Sequence, residues 1–237
     1  MNLPIREAQK QVLKVFSKAA KDFALAGGTA LELYYLQHRF SVDLDFFSKK
    51  YNPSEIDDLV TAFRKSMNQK IHLEAEFKAG GRARVRFYTF PVQGSSRPLK
   101  IDFVEDVLFD KPTIQKREGV RVYSVQNIYY QKIAAVSGTV PLVDEVGREV
   151  IEGRKEARDV FDIYQLSQKI QPLHKFLKSV PAAWQRGMVH WYRTFARQEL
   201  KLALLDLDIY DKEFDAKEMI AYLEQEIKQF TREVIGE

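Results

Sequence analysis

The stretch Phe23–Phe47, FALAGGTALELYYLQHRFSVDLDFF, decides the fold. It opens on an apolar run, Phe23–Ala26, that predicts a short buried strand ending in the turn Gly27-Gly28. Glycine carries no Cβ, so backbone there can approach a ligand closely. Thr29–His38 has apolar residues at helical spacing, with Thr29 expected as the N-cap. The first N–H groups of such a helix lack intrahelical partners and lie at the positive end of its dipole, which suits phosphate. Ser41–Phe47 then alternates at period two and predicts a strand. Asp43 and Asp45 are two residues apart and project from one face, while Val42, Leu44 and Phe46 take the other. Two carboxylates on one face suit Mg²⁺, which takes oxygen ligands and bridges to substrate phosphates.

Similar acid pairs occur elsewhere, for example Glu55/Asp57 and Asp206/Asp208. What separates Asp43/Asp45 is an apolar opposite face and a glycine turn one helix upstream. Buried carboxylates are costly without a partner, so in a central strand this pair calls for cations. Downstream, LKIDFV (99–104) holds one acid, Asp102, in an apolar strand. Alone it reads as a capping or ion-paired residue near a strand end. In one sheet with Asp43 and Asp45 it becomes a third metal ligand.

Further out, residues 5–21 have helical periodicity. Asn52 followed by Pro53 marks a second helix start. KIHLEAEFK (70–78) and RARVRFYTF (82–90) alternate around a glycine turn and predict a β-hairpin. GVRVYS (119–124) reads as a further strand. From Ser124 the pattern is helical, except where Gly and Pro interrupt it in SGTVPLVDEVG (137–147). Trp184, Trp191, Phe195 and the run Leu200–Leu205 are expected on the packing face of a bundle. The predicted class is α+β: a mixed sheet flanked by helices over residues 1–123, then a helical domain over 124–237.

The 237 residues are 45% hydrophobic and 30% charged, enough apolar material for a real core. Absence of cysteine excludes disulfides, thiolate zinc sites and a cysteine nucleophile. The four histidines show no metal-ligand spacing and read as surface or packing residues. Neither a secretory signal nor a membrane span is evident, so a cytoplasmic protein is expected. The net charge is +4, and Arg64–Lys100 holds nine basic residues against two acids. Arg82, Arg84 and Arg86 share one strand face. They form either a strip for RNA phosphates or an ordinary solvated face.

The order Gly-Gly, helix, Asp-x-Asp strand, later single-Asp strand resembles the polymerase-β-like nucleotidyltransferase superfamily. GGTAL (27–31) and HRFSVDLDFF (38–47) resemble, more closely, the AbiEii/AbiGii-type abortive-infection toxins. The likeness continues through Lys132 in YYQKIAA and through Arg158-Asp159 and Asp162 in EARDVFDIYQL, and spans roughly residues 23–168. It implies a toxin that transfers a nucleotide from a nucleoside triphosphate to an acceptor hydroxyl, such as a tRNA or other RNA end, and is paired with a cognate antitoxin. It implies Mg²⁺ or Mn²⁺ on Asp43, Asp45 and Asp102, and nucleotide contacts from Gly27, Gly28, Thr29 and Lys132. Asp159 joins the catalytic set. Arg39 and Ser41 serve either phosphate or the fold. The insertion VSGTVPLVDEVGREVIEGRK (136–155) departs from many relatives. It leaves open which of Arg148, Arg154 and Arg158 takes the family's arginine position, and whether Asp159 or Asp162 faces the site. The alternatives are transfer to a small molecule or protein, or a non-catalytic nucleotide-binding or protein-interaction module.

Overall fold

The computed structural model describes residues 2–77, 83–138, 141–143, 149–151, 153–154 and 156–236. It divides into two compact units, Met1–Tyr35 with Phe40–Ile128, and Leu36–Arg39 with Tyr129–Glu237. The chain order is a mixed sheet with its helices followed by a helical bundle, an α+β architecture.

The first unit holds α1 (Leu3–Ala19), β1 (Ala24–Ala26), α2 (Gly27–Leu31), β2 (Leu44–Ser48), α3 (Pro53–Met67) and β3 (His72–Phe77). It continues with β4 (Val85–Phe90), β5 (Leu99–Glu105), β6 (Ile114–Arg117) and β7 (Val120–Tyr123). The strands form one sheet in the order β3-β4-β5-β2-β1-β7-β6, which puts β2 at its centre. β2 runs parallel to β5 and antiparallel to β1. Leu44, Phe46, Leu99, Ile101 and Phe103 are buried on one face. Helices α1 and α3 pack there, with the Phe16 ring stacked 4.0 Å from Phe46 and Phe63 6.4 Å beyond it. Asn52 caps α3 by accepting from the Ser54 amide, with Pro53 in the first turn as expected.

Chain entry into α2 differs from expectation. The helix starts at Gly27, so Thr29 lies inside its first turn rather than at the cap. The helix then widens into a π-turn over Glu32–Leu36. Strand β6 was not anticipated, nor was the short antiparallel pair of β8 (Pro141–Val143), within the Gly/Pro interruption, and β9 (Glu149–Ile151), just after it.

The second unit takes the C-terminal part of α4 (Val125–Ser137) together with α5 (Ala157–Lys169), α6 (Leu173–Leu177), α7 (Ala182–Thr194), α8 (Arg197–Leu204) and α9 (Ala216–Ile235). Its core includes Phe161, Leu166, Leu177, Met188, Trp191, Met219 and Phe230, and Tyr129 stacks 3.9 Å from Phe176. Leu200 and Leu204 are buried, but Leu202 and Leu205 are exposed. One helix cannot turn every residue of an apolar run inward, which corrects the expected packing face. Among the described residues no helix is long and apolar enough to cross a membrane.

Candidate active site

The sheet register builds the site. β2 and β5 are parallel with Asp45 directly opposite Asp102. Opposed residues share a face, and neighbouring strands lie about 4.8 Å apart. Both carboxylates therefore stand side by side on the face away from α1 and α3, and both are half-buried. On the other side of β2, Asp45 is opposite Ala26, the last residue before the glycine turn. Gly27 has φ +68°, and a Cβ there would come within 2.2 Å of Asp45 Oδ2 and 3.0 Å of its Cγ. The Asp45 carboxylate thus lies against the bare backbone of the turn. Both the left-handed φ and the missing side chain require glycine at this position.

Asp43 precedes β2 by one residue. Its backbone carbonyl accepts the hydroxyl of buried Thr29, which ties the first turn of α2 to the start of the acidic strand. That hydroxyl is spent on the fold. Gly28 is buried in the same turn. Among the described residues no three His, Cys, Asp or Glu side chains form a group able to hold a metal ion. The pair Asp45/Asp102 nonetheless has the donor chemistry of a hard divalent cation, and Mg²⁺ commonly takes only one or two protein carboxylates.

A polar clamp, not anticipated, holds the segment leading into β2. Buried Glu32 pairs with Arg6 and accepts the Ser41 amide at 2.9 Å. Gln9 donates to the carbonyls of Ser41 and Val42 at 2.8 and 2.7 Å. Arg6 lies 4.8 Å over the Phe40 ring. Ser41 is therefore fixed through its backbone. The one sequence signal for this clamp was an acid, Glu32, inside an otherwise apolar helical run.

Lys132, Asp159 and Arg39 meet in the second unit. Lys132 Nζ lies 2.5 Å from Asp159 Oδ1 and 2.8 Å from Asp162 Oδ2. Arg39 grips Asp162 with a two-pronged contact, Nε to Oδ1 at 2.7 Å and Nη2 to Oδ2 at 2.8 Å. His38 Nε2 is 2.7 Å from the same carboxylate, and its ring stacks on Phe161. All five residues are buried. Burial alone would raise the Asp162 carboxyl, but Arg39, Lys132 and hydrogen bonds from His38 and Arg39 hold it well below its ordinary value. Asp159 is lowered in the same way, burial being outweighed by Lys132. Burial opposes the charge on Lys132, yet Asp159 and Asp162 raise its pKa. For His38 burial prevails over Asp162, and its pKa falls.

Arg82 lies outside the described residues. Arg84 and Arg86 belong to the sheet face opposite the acid pair, because Arg86 is paired with Phe103 while Asp102 is paired with Phe87. Arg84 forms a two-pronged contact with Glu105, at 3.0 and 2.9 Å, and lies over Tyr51. Arg86 bonds Glu76 at 3.0 Å and Asp57 at 2.9 Å.

Residues 11–235 match the family described as nucleotidyl transferase AbiEii toxin, type IV TA system. No curated protein matches the chain. Two solved structures from Helicobacter pylori share its fold. One is a candidate nucleotidyltransferase, 18% identical, with TM-score 0.63 over 99% of this chain and 96% of that one. The other, JHP933, is 19% identical, with TM-score 0.57 over 99% and 95%.

Proposed function

The chain belongs to the AbiEii nucleotidyl transferase toxin family, and from that membership we propose that it transfers a nucleotide from a nucleoside triphosphate to a hydroxyl at an RNA end, tRNA being the first acceptor to test. The observation that carries this reading is the placement of Asp45, opposite Asp102 on one side and against the Cβ-less Gly27 on the other. Two acids facing a polyanion would repel it, so the arrangement makes sense with a divalent cation. Asp45 and Asp102 would hold Mg²⁺ or Mn²⁺, with Asp43 one residue before the strand. The ion would supply charge neutralisation at the phosphates.

The acceptor oxygen forms a bond to the α-phosphorus as the α–β bridging bond breaks and pyrophosphate departs. The proton leaving the hydroxyl goes to Asp102. Backbone at Gly27 and Gly28 meets the triphosphate. A lysine ammonium has three donors, and Asp159 and Asp162 engage two of those on Lys132. From family membership alone we assign Lys132 a phosphate-binding role, with Asp159 and Asp162 fixing its ammonium and Arg39 fixing Asp162. An antitoxin partner and a cytoplasmic site of action complete the proposal.

The test incubates the full chain with Mg²⁺ or Mn²⁺, each α-labelled nucleoside triphosphate and total tRNA. Label should become RNA-bound, and Asp45→Asn should lower transfer about 100-fold or more. No transfer by the wild type, or equal transfer by the variant, defeats the reading.

A further inference from the structure

The acid face of the sheet continues past Asp102. Across the strands the register runs Ala26, Asp45, Asp102, Phe87, Ala75. One step along, it runs Phe47, Val104, Val85, Phe77. Phe87 is therefore the immediate neighbour of Asp102, and Phe77 lies diagonal to it on the edge strand β3. The two rings meet edge to face, 5.7 Å between centroids at 80°. Phe77 is 55% exposed and Phe87 half-buried. Exposed Lys100, two residues before Asp102 on β5, projects from the same face.

The order along this face is directional. The glycine turn assigned to the triphosphate lies on the β1 side of the acid pair, and the aromatic pair lies on the β4–β3 side. With the reacting phosphorus at the acids and the leaving pyrophosphate toward the turn, the second substrate has to arrive over β4 and β3. A lone exposed phenylalanine would mean little. Two interacting rings beside the acid proposed to take the acceptor's proton, with a cation on the same face, suit a substrate that is flat and anionic.

Resting on the transferase reading above, we infer that Phe87 and Phe77 form an acceptor subsite, on which the terminal base of a single-stranded RNA end stacks while Lys100 meets its backbone phosphate. Base–aromatic stacking tolerates any base, because every base presents a π-face. The subsite therefore selects for a nucleobase-bearing acceptor over an amino sugar or a protein hydroxyl, without selecting among bases.

The test is binding of a labelled single-stranded oligoribonucleotide to the full chain, read by fluorescence anisotropy. Phe87→Leu keeps the apolar volume and removes the ring. It should weaken binding about tenfold and raise the acceptor KM, while the triphosphate Kd from calorimetry stays within about twofold. Phe77→Leu should act in the same direction. An oligonucleotide lacking its 3′-terminal base should bind the wild type as weakly as the intact one binds Phe87→Leu, a comparison that does not depend on the variant folding. Equal binding of the intact and abasic ends by the wild type overturns the subsite. So does equal binding of the intact end by wild type and both variants. Base-dependent binding without any nucleotide transfer would uphold the subsite and defeat the transferase reading.

Discussion

Each unit holds a pair of aspartates, and the two pairs live under opposite conditions. Asp45 and Asp102 are half-buried neighbours on a sheet face, set against a carboxylate and a glycine backbone. Asp159 and Asp162 are buried and answered by Lys132, Arg39 and His38. Counting Lys132 and Arg39 against the two carboxylates, with His38 neutral, the second cluster carries no net charge. Burial therefore does not by itself mark a reactive acid. The buried pair is already neutralised and serves to fix an ammonium. The other pair stands half-exposed on a sheet face, where a cation and a substrate can reach it. The same residue type is thus a positioning device in one unit and the candidate chemistry in the other.

The largest effect should come from breaking the buried cluster. Asp162→Ala leaves Arg39 and Lys132 buried with one carboxylate between them. Removing one partner of a buried ion pair typically costs about 3–5 kcal/mol. Urea unfolding should show a loss of that size, and a loss below about 1 kcal/mol would break the comparison. The pH dependence has a definite sign. Asp162 and Asp159 are held below 3.8, so their contribution is complete above that pH and declines as pH falls through it. His38, lowered from 6.5, adds a loss that begins as pH drops below 6.5, where the unfolded chain takes up a proton first. Repeating the unfolding between pH 7 and 4 should show stability falling towards acid, with a steeper fall in Asp162→Ala, because Asp162 is the group that raises the His38 pKa against its burial.

Next in size is Gly27→Ala. The left-handed backbone costs an alanine about 1–2 kcal/mol. The new Cβ would also meet Asp45 Oδ2 at 2.2 Å and force the carboxylate aside. Displacing a reacting group by about 1 Å can cost about 100-fold in rate. The expected result is modest destabilisation with a drop in nucleotide transfer of that order. Transfer that falls only in proportion to the folded fraction would remove Gly27 from the site.

These contrasts were unevenly legible in the sequence. The glycine turn and the Asp43/Asp45 alternation are local signals, and the contact between Gly27 and Asp45 follows once β2 folds back antiparallel on β1. The pairing of Asp45 with Asp102 is set by strand order, which no local pattern encodes. Strand β6, IQKR, escaped notice because it has no apolar alternation. Thr29 was read one turn away from its role because the helix begins on a left-handed glycine. Leu202 and Leu205 belong to an apolar run, but the 3.6-residue period turns them outward. His38 was read as a packing or surface residue. It does stack on Phe161, but its bond to Asp162 joins positions 124 apart in the chain.

The smallest effect on stability is also the one that most sharpens the comparison. Asp102→Asn removes one of two like charges that face each other across adjacent strands. Opposed like charges in a sheet are destabilising, with cross-strand pairs contributing about 0.2–1 kcal/mol. The variant should therefore stay within about 1 kcal/mol of the wild type in stability, while nucleotide transfer is lost. A site kept for its chemistry can lose a charge at little cost to stability, and a site kept for the fold cannot. If Asp102→Asn unfolds as readily as Asp162→Ala, then Asp102 is a structural acid like Asp162, and the contrast between the two units disappears.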